Sequence, residues 1–363
     1  MSKELKVKKS SILDNPIMFS FISIILGLLV GAVVLLIAGQ NPVEAYTEMI
    51  NGIIGKPKYI GWVIIRATPL ILTGLSIAFA FKTGLFNIGA EGQYIIGSLV
   101  AAIVGINLDL PTFLLIPITL IAAAIGGAIW GGIVGYLKAK FGINEVIAAI
   151  MFNWIAFYFS NYMIRRPLLF LENSEVSRDI SQNASLKIDW LTNIFGPATP
   201  INWGIVITII IVIIISIILY KTTLGFELRA VGANRFGAEY AGINVNSSMI
   251  KSMAIAGLLS GLAGAIQVMG VTHNITILPM TEGYGFDGIA VALIANNNPI
   301  GIIFSGLLFG GLKYGGTKMQ MIGAPSEVIN IVIGSIVYFI ALSSALRIGF
   351  MKFKNRKKQG GNI

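Results

Sequence analysis

Residues 16–38 read PIMFSFISIILGLLVGAVVLLIA, 23 consecutive positions without a charged side chain. A helix rises 1.5 Å per residue, so this run reaches roughly 34 Å and can cross a hydrocarbon core roughly 30 Å thick. Lys3, Lys6, Lys8 and Lys9 stand before it. A basic stretch followed by an apolar run also describes a secretory signal. This run is longer than a signal core of roughly 7–15 residues, however, and no A-x-A-like site closes it. It reads as a first spanning helix.

Runs of the same kind recur along the chain, near 59–81, 94–106, 113–137, 144–163, 203–220, 252–272, 286–297, 299–313 and 328–346. Hydrophobic residues make up 55% of the chain and charged residues 12%, with a mean hydropathy of +0.83. A soluble domain carries roughly 25% charged residues. This composition excludes a soluble globular enzyme and a disordered chain. The expected fold is an all-α polytopic membrane protein of about ten transmembrane helices. Its expected parts are a basic tail over 1–15, a membrane domain over 16–346 and a second basic tail over 347–363.

Cysteine is absent and His273 is the one histidine, which removes disulfides, thiolate metal sites and paired-histidine metal sites. The net charge of +10 does not form a folded basic face, so nucleic acid is not an expected partner. Basic residues instead flank the apolar runs. With ten spans and both termini inside, 17 Lys and Arg face the cytoplasm, 8 face outward, and Arg66 lies within a span. That bias supports the orientation. Lys313 and Lys318, counted as outer, run against it. Two polar segments are long enough to matter, an outer one over 165–202 and an inner one over 221–251.

The chain also resembles itself. Gly89-Ala90-Glu91-Gly92 returns as Gly285-Phe286-Asp287-Gly288, and Asn144-Glu145-Val146-Ile147 as Ser326-Glu327-Val328-Ile329. Gly131-Gly132 and Gly310-Gly311 precede the second pair in the same order. Under the ten-span layout the first copies enter their helices from the cytoplasm and the second copies from outside. That is the pattern of an inverted-topology repeat, which in transporters places a pathway where the halves meet. Acidic residues and glycines also gather at helix starts for reasons of the helix dipole alone.

Glu91 and Asp287 stand where apolar runs begin, at or near membrane depth. Each reads either as a functional carboxylate or as the cap of a broken helix. A broken helix at that depth must be buried in protein or line a cavity, so both readings put these residues beside a pathway. Asn87, Gln93 and Asn153 can bond a polar solute or a neighbouring helix. Arg66 can meet an anionic solute or, as the expected role, pair with a membrane carboxylate. Gly127-x-x-x-Gly131-x-x-x-Gly135 and Gly257-x-x-x-Gly261 speak for close helix packing. The G-x-G-x-x-G at 283–288 lacks the strand and soluble βαβ unit of a dinucleotide site. No G-x-x-x-x-G-K-[ST] occurs, so nucleotide energy has to come from a partner. The inner segment 224–243, LGFELRAVGANRFGAEYAGI, can form one or two short helices offered to a groove in a cytoplasmic protein.

Four stretches resemble one family, the permease subunits of bacterial ABC importers for simple sugars and nucleosides. They are Thr83-Gly84-Leu85-Phe86-Asn87-Ile88-Gly89-Ala90-Glu91-Gly92-Gln93, Asn144 to Asn153, the loop from Leu228-Arg229-Ala230-Val231-Gly232 to Ile243, and Gly283-Tyr284-Gly285-Phe286-Asp287-Gly288 onward. The form over 87–93 is most similar to the nucleoside branch. The resemblance implies a multi-pass protein of the bacterial cytoplasmic membrane, working beside an ABC ATPase subunit, a second permease subunit of different but related sequence and an extracytoplasmic solute-binding protein. It implies that the chain carries no cofactor and is no enzyme, since ATP and magnesium sit on the ATPase. Arg229, Gly232, Ala238, Glu239 and Gly242 are then expected at the ATPase contact. Phe86, Asn87, Glu91, Gln93, Asn153 and Asp287 are expected along the solute pathway, which works by alternating access. A permease for a sugar such as ribose and a gradient-driven secondary transporter are the competing readings.

Overall fold

The computed structural model describes residues 16–172, 174–196 and 199–360. The expected tail over 1–15 lies outside the described residues. Among them the regular structure is helical, with only two isolated β-bridges, Val176 to Thr276 and Lys187 to Asn202. In chain order the helices are α1 (Pro16–Ile37), α2 (Pro42–Ile54), α3 (Pro57–Phe81), α4 (Ala90–Asn107), α5 (Thr112–Phe141), α6 (Glu145–Ile164) and α7 (Asp189–Phe195). They continue as α8 (Gly204–Lys221), α9 (Thr223–Ala233), α10 (Arg235–Tyr240), α11 (Val245–Gln267), α12 (Tyr284–Ile294), α13 (Pro299–Met319) and α14 (Ser326–Gly360).

Each of the ten expected apolar runs coincides with a helix. Among the described residues, seven helices are long and apolar enough to cross a membrane: α3, α4, α5, α6, α8, α11 with the π-helical turn that follows it, and the first half of α14. Three departures have local causes. Helix α2 was unexpected, because its pattern is amphipathic rather than apolar; Pro42 opens it, and the Asn41 side chain accepts the Val43 N–H at 3.1 Å. Helix α12 has 11 residues, so its roughly 17 Å cannot cross a bilayer alone. It stops where Asn296 and Asn297 take positive φ values of 50° and 55°, and Asn298 then caps α13 by accepting from Ile300 and Gly301. Helix α14 carries the helical path through the expected tail as far as Gly360.

The chain divides into two compact units. Among the described residues the first comprises 16–52 and 315–360. In it α1 lies against α14: Gly27 meets the Ile336 backbone, Gly31 meets Val332, and Tyr46 donates to the Leu28 carbonyl at 2.6 Å.

The second unit, 53–314, holds the remaining spans. Helix α11 is its centre. Gly127 and Gly131 of α5 abut the backbone of Met253, Gly257 and Gly261, and Gly97 of α4 abuts Gly261 from another side. Without side chains at these points three backbones approach closely, which is how helices gain packing energy where lipid offers no hydrophobic drive. Helix α3 is buried along most of its length. It contacts α11 through Ser76, which donates to the Ala256 carbonyl at 2.6 Å, and α13 where Gly306 and Gly310 sit on Ile71 and Ala67. Ile121, Ile125 and Ile129 of α5 and Ile210, Ile213 and Ile217 of α8 are exposed, an apolar outer face suited to lipid.

The outer segment is a folded layer. Ser177 and Ile180 donate to the carbonyls of Ile275 and His273, Ile277 donates to Glu175, and Leu186 to Met269. Its own Leu169, Ile180, Ala184 and Leu186 are buried.

Candidate functional site

The site forms where the first turns of α4 and α12 meet. The Glu91 carboxylate accepts the backbone N–H groups of Gly283 at 2.8 Å and Gly285 at 2.6 Å. Both donors belong to the start of α12, where the N–H groups of a first turn have no partner within the helix. Three residues further along α4, the Tyr94 hydroxyl donates to Glu282 at 2.7 Å. Advancing along α4 therefore means retreating toward Glu282, so the two starts overlap in antiparallel register. Gly285 permits this approach, because a Cβ there would enter the Glu91 backbone.

Asn87, Gln93 and Asn153 support this junction from behind. Asn87 donates to Ser76 at 3.0 Å and to Gln93 at 2.9 Å, and the Gln93 amide returns a bond to Asn87 at 3.0 Å. Asn153 accepts the Gly92 N–H at 2.8 Å and donates to the Ile88 carbonyl at 3.0 Å. All three are buried, and their polar atoms bond within the protein. Of the two sequence readings, the structure displays the helix-to-helix one. Phe86 is half-buried and stacks on Phe81, with ring centroids 5.1 Å apart.

In front of the junction lies a cavity of about 280 Å³ lined by Arg66, Leu70, Glu282, Tyr284, Asp287 and Lys313. Asp287 does not cap its own helix. Its carboxylate pairs with the Lys313 ammonium at 2.9 Å, linking α12 to α13. Lys313 is therefore a cavity residue within α13, where the sequence reading counts it as an outer charge. Arg66 also departs from expectation: among the described residues it has no ion pair, its guanidinium stands 5.9 Å from the centre of the Tyr314 ring, and its Nε is buried without a hydrogen-bond acceptor. A smaller pocket, lined among others by Tyr94, Ile95, Ser98, Gln267 and Leu278, also borders Glu282. Two cations and two carboxylates around one cavity, with an aromatic ring and a leucine, make a site for a polar solute of no net charge. No cluster that could hold a metal ion occurs among the described residues.

A second feature is the inner segment, folded as α9 and α10. Thr222, Asn234 and Asn244 cap α9, α10 and α11 with their side-chain oxygens. Phe226, Phe236 and Tyr240 are exposed, Tyr240 at 98%. Gly232 has Lys82 and Gly84 of the α3–α4 connection against its backbone.

The family model described as "Branched-chain amino acid transport system / permease component" matches residues 59–341. The chain belongs to that permease family. It is 41% identical to the guanosine ABC transporter permease protein NupP of Bacillus subtilis, over 94% of this chain and 97% of that one. It is 38% identical to the nucleoside ABC transporter permease protein NupB of Lactococcus lactis, over 93% and 94%. The glucose ABC transporter permease protein TsgB13 of Haloferax volcanii is 30% identical, over 89% and 86%. No solved structure matches the chain.

The permease thus gathers Glu91 and Asp287 at one junction and keeps Asn87, Gln93 and Asn153 as its internal support. Glu282, Tyr94, Tyr284 and Lys313 were missed in the sequence. Thr281-Glu282-Gly283 did hold a signal, an acidic residue between two apolar runs. Around the inner helices of the permease, Glu239 and Gly242 are exposed, whereas Ala238 is buried and Arg229 folds back over the Tyr220 ring at 5.5 Å. The exposed aromatics Phe236 and Tyr240 were missed there too.

Proposed function

We propose that this permease forms the membrane pathway by which an ATP-driven importer takes up nucleosides. The cavity carries this reading: it is of a size near the roughly 300 Å³ lower end of small-molecule pockets, it balances donors and acceptors, and it sits at a helix junction. The named activities of the guanosine and nucleoside relatives support it. ATP and magnesium are held by a separate ABC ATPase, which docks on the exposed face of α9 and α10. Glu239, Phe236 and Tyr240 meet it directly, while Gly232 passes movement to the α3–α4 connection. A second, related permease completes the membrane part, and a solute-binding protein docks outside, with both termini in the cytoplasm. The two arrangements of alternating access then differ in which side reaches the cavity. A glucose relative favours a sugar as the second reading.

The test is uptake of radiolabelled guanosine, adenosine and uridine against ribose and glucose, in host cells with and without an ATP-site mutation in the ATPase. ATPase-dependent nucleoside uptake that excess sugar leaves unchanged is the expected result. Sugar uptake alone discards the nucleoside, and uptake indifferent to the ATPase mutation makes the protein a gradient-driven transporter.

A further inference from the structure

Arg66 is the cationic group of the cavity that no carboxylate holds. Lys313 is bound to Asp287, and Glu282 already accepts the Tyr94 hydroxyl. Among the described residues the Arg66 Nε is a buried donor with no acceptor, a costly state until something satisfies it. A guanidinium offers its donors in a planar fork, which matches two acceptors side by side. Its neighbours supply complementary chemistry: Tyr284 and Tyr314 are flat aromatic surfaces, and Glu282 and Asp287 are acceptors across the cavity.

Nucleosides differ in whether they present that acceptor pair. A 6-oxopurine such as guanine or hypoxanthine carries O6 and N7 as adjacent acceptors, and an arginine fork bonds both. Adenine places an amino donor where O6 would be, so the same fork meets one acceptor and one opposed donor. We infer that Arg66 reads the O6/N7 edge of a purine and makes this permease favour 6-oxopurine nucleosides over 6-aminopurine ones during passage. The inference rests on the nucleoside reading above. It adds a specificity residue within the membrane, downstream of any choice made by a solute-binding protein.

The experiment therefore reads how a substitution changes a ratio and not the ratio itself. A host strain lacking the chain is complemented with wild type, Arg66→Gln or Arg66→Lys, and uptake of radiolabelled guanosine, inosine and adenosine is measured at matched membrane levels. Glutamine pairs with the N6/N7 edge of adenine, so Arg66→Gln should lower guanosine and inosine uptake about tenfold relative to adenosine, the scale of one bidentate contact. Arg66→Lys keeps the charge and loses the fork, and it should shift the ratio the same way by less. It also serves if the glutamine variant fails to reach the membrane. Inosine lacks the 2-amino group, so its loss together with guanosine locates the contact at the 6-oxo edge. Equal losses for all three nucleosides, or an unchanged ratio, overturn the assignment while leaving nucleoside transport standing. A wild type that moves no nucleoside overturns both.

Discussion

The Glu91 carboxylate and the Gly285 backbone amide are 2.6 Å apart, although 194 residues separate them along the chain. One helix start thus supplies the cap of another. Gly285 has no side chain to offer, and its helix begins at Gly283, whose φ of 84° suits glycine. Glu91 is buried, so its charge is held by these two amides and by the positive end of α12.

Replacing Glu91 with alanine should therefore strand the buried Gly285 amide, at about 1–3 kcal/mol, and the part-buried Gly283 amide at less. Glu91→Gln keeps one acceptor and should cost less. Thermal unfolding of the detergent-purified permease gives the order wild type, then Gln, then Ala. An alanine variant that melts with the wild type would show that the cap is dispensable.

The Asp287–Lys313 pair borders a cavity, with side chains 25% and 35% exposed, so its net worth is modest. Removing one partner still leaves a charge facing a membrane-depth cavity. Lys313→Met should reduce uptake more than the double variant Asp287→Asn/Lys313→Met. The two changes should be non-additive by on the order of 1 kcal/mol in stability. Strict additivity would mean that the pair is incidental.

Much of this fold was legible because a bilayer needs long uncharged runs, and such runs resemble nothing else in a sequence. Four of the six repeat marks are helix starts: Glu91 lies in the first turn of α4, Asn144 caps α6, Asp287 lies in the first turn of α12, and Ser326 opens α14, whereas Gly131-Gly132 and Gly310-Gly311 fall inside α5 and α13. What the sequence did not disclose was pairing. Nothing local to Asp287 names Lys313, and nothing near Asn87 says that Gln93 and Ser76 absorb its hydrogen bonds. Burial hid the cavity-lining set in the same way: polar residues in apolar surroundings all look functional, and only the fold separates Asn153, bonded on both sides, from Arg66, which is not. Helix α2 escaped because two glutamates interrupt its apolar positions.

On α9 and α10, residues packed inside the chain separate from those free for the proposed ATPase contact. A Cβ at Gly232 would collide with the Lys82 carbonyl, so Gly232→Ala should displace the α3–α4 connection and lower both stability and uptake. Phe236→Ala and Tyr240→Ala remove only exposed rings. They should leave thermal stability within about 0.5 kcal/mol of wild type, as surface changes do, while uptake falls by tenfold or more. Normal uptake in a Phe236→Ala/Tyr240→Ala double variant would place the ATPase contact elsewhere.

The folded segment over 165–202 should respond to acid through His273. Burial pushes its imidazole below the ordinary value; nearby Asp179 pulls the other way, and Lys187 adds to the lowering. The folded state therefore binds fewer protons than the unfolded one. The stability this group contributes is complete above the ordinary histidine value of about 6.5 and is lost as pH falls through the lowered one. The His273 carbonyl accepts from Ile180, so protonation acts where the outer segment is fastened. Hydrogen exchange over 175–187, corrected for intrinsic rates, should quicken in the wild type between pH 7.5 and pH 5.5. His273→Asn preserves the backbone, since asparagine tolerates the observed φ of 60°, and it should abolish that response. An unchanged acid response in His273→Asn would assign the loosening to another group.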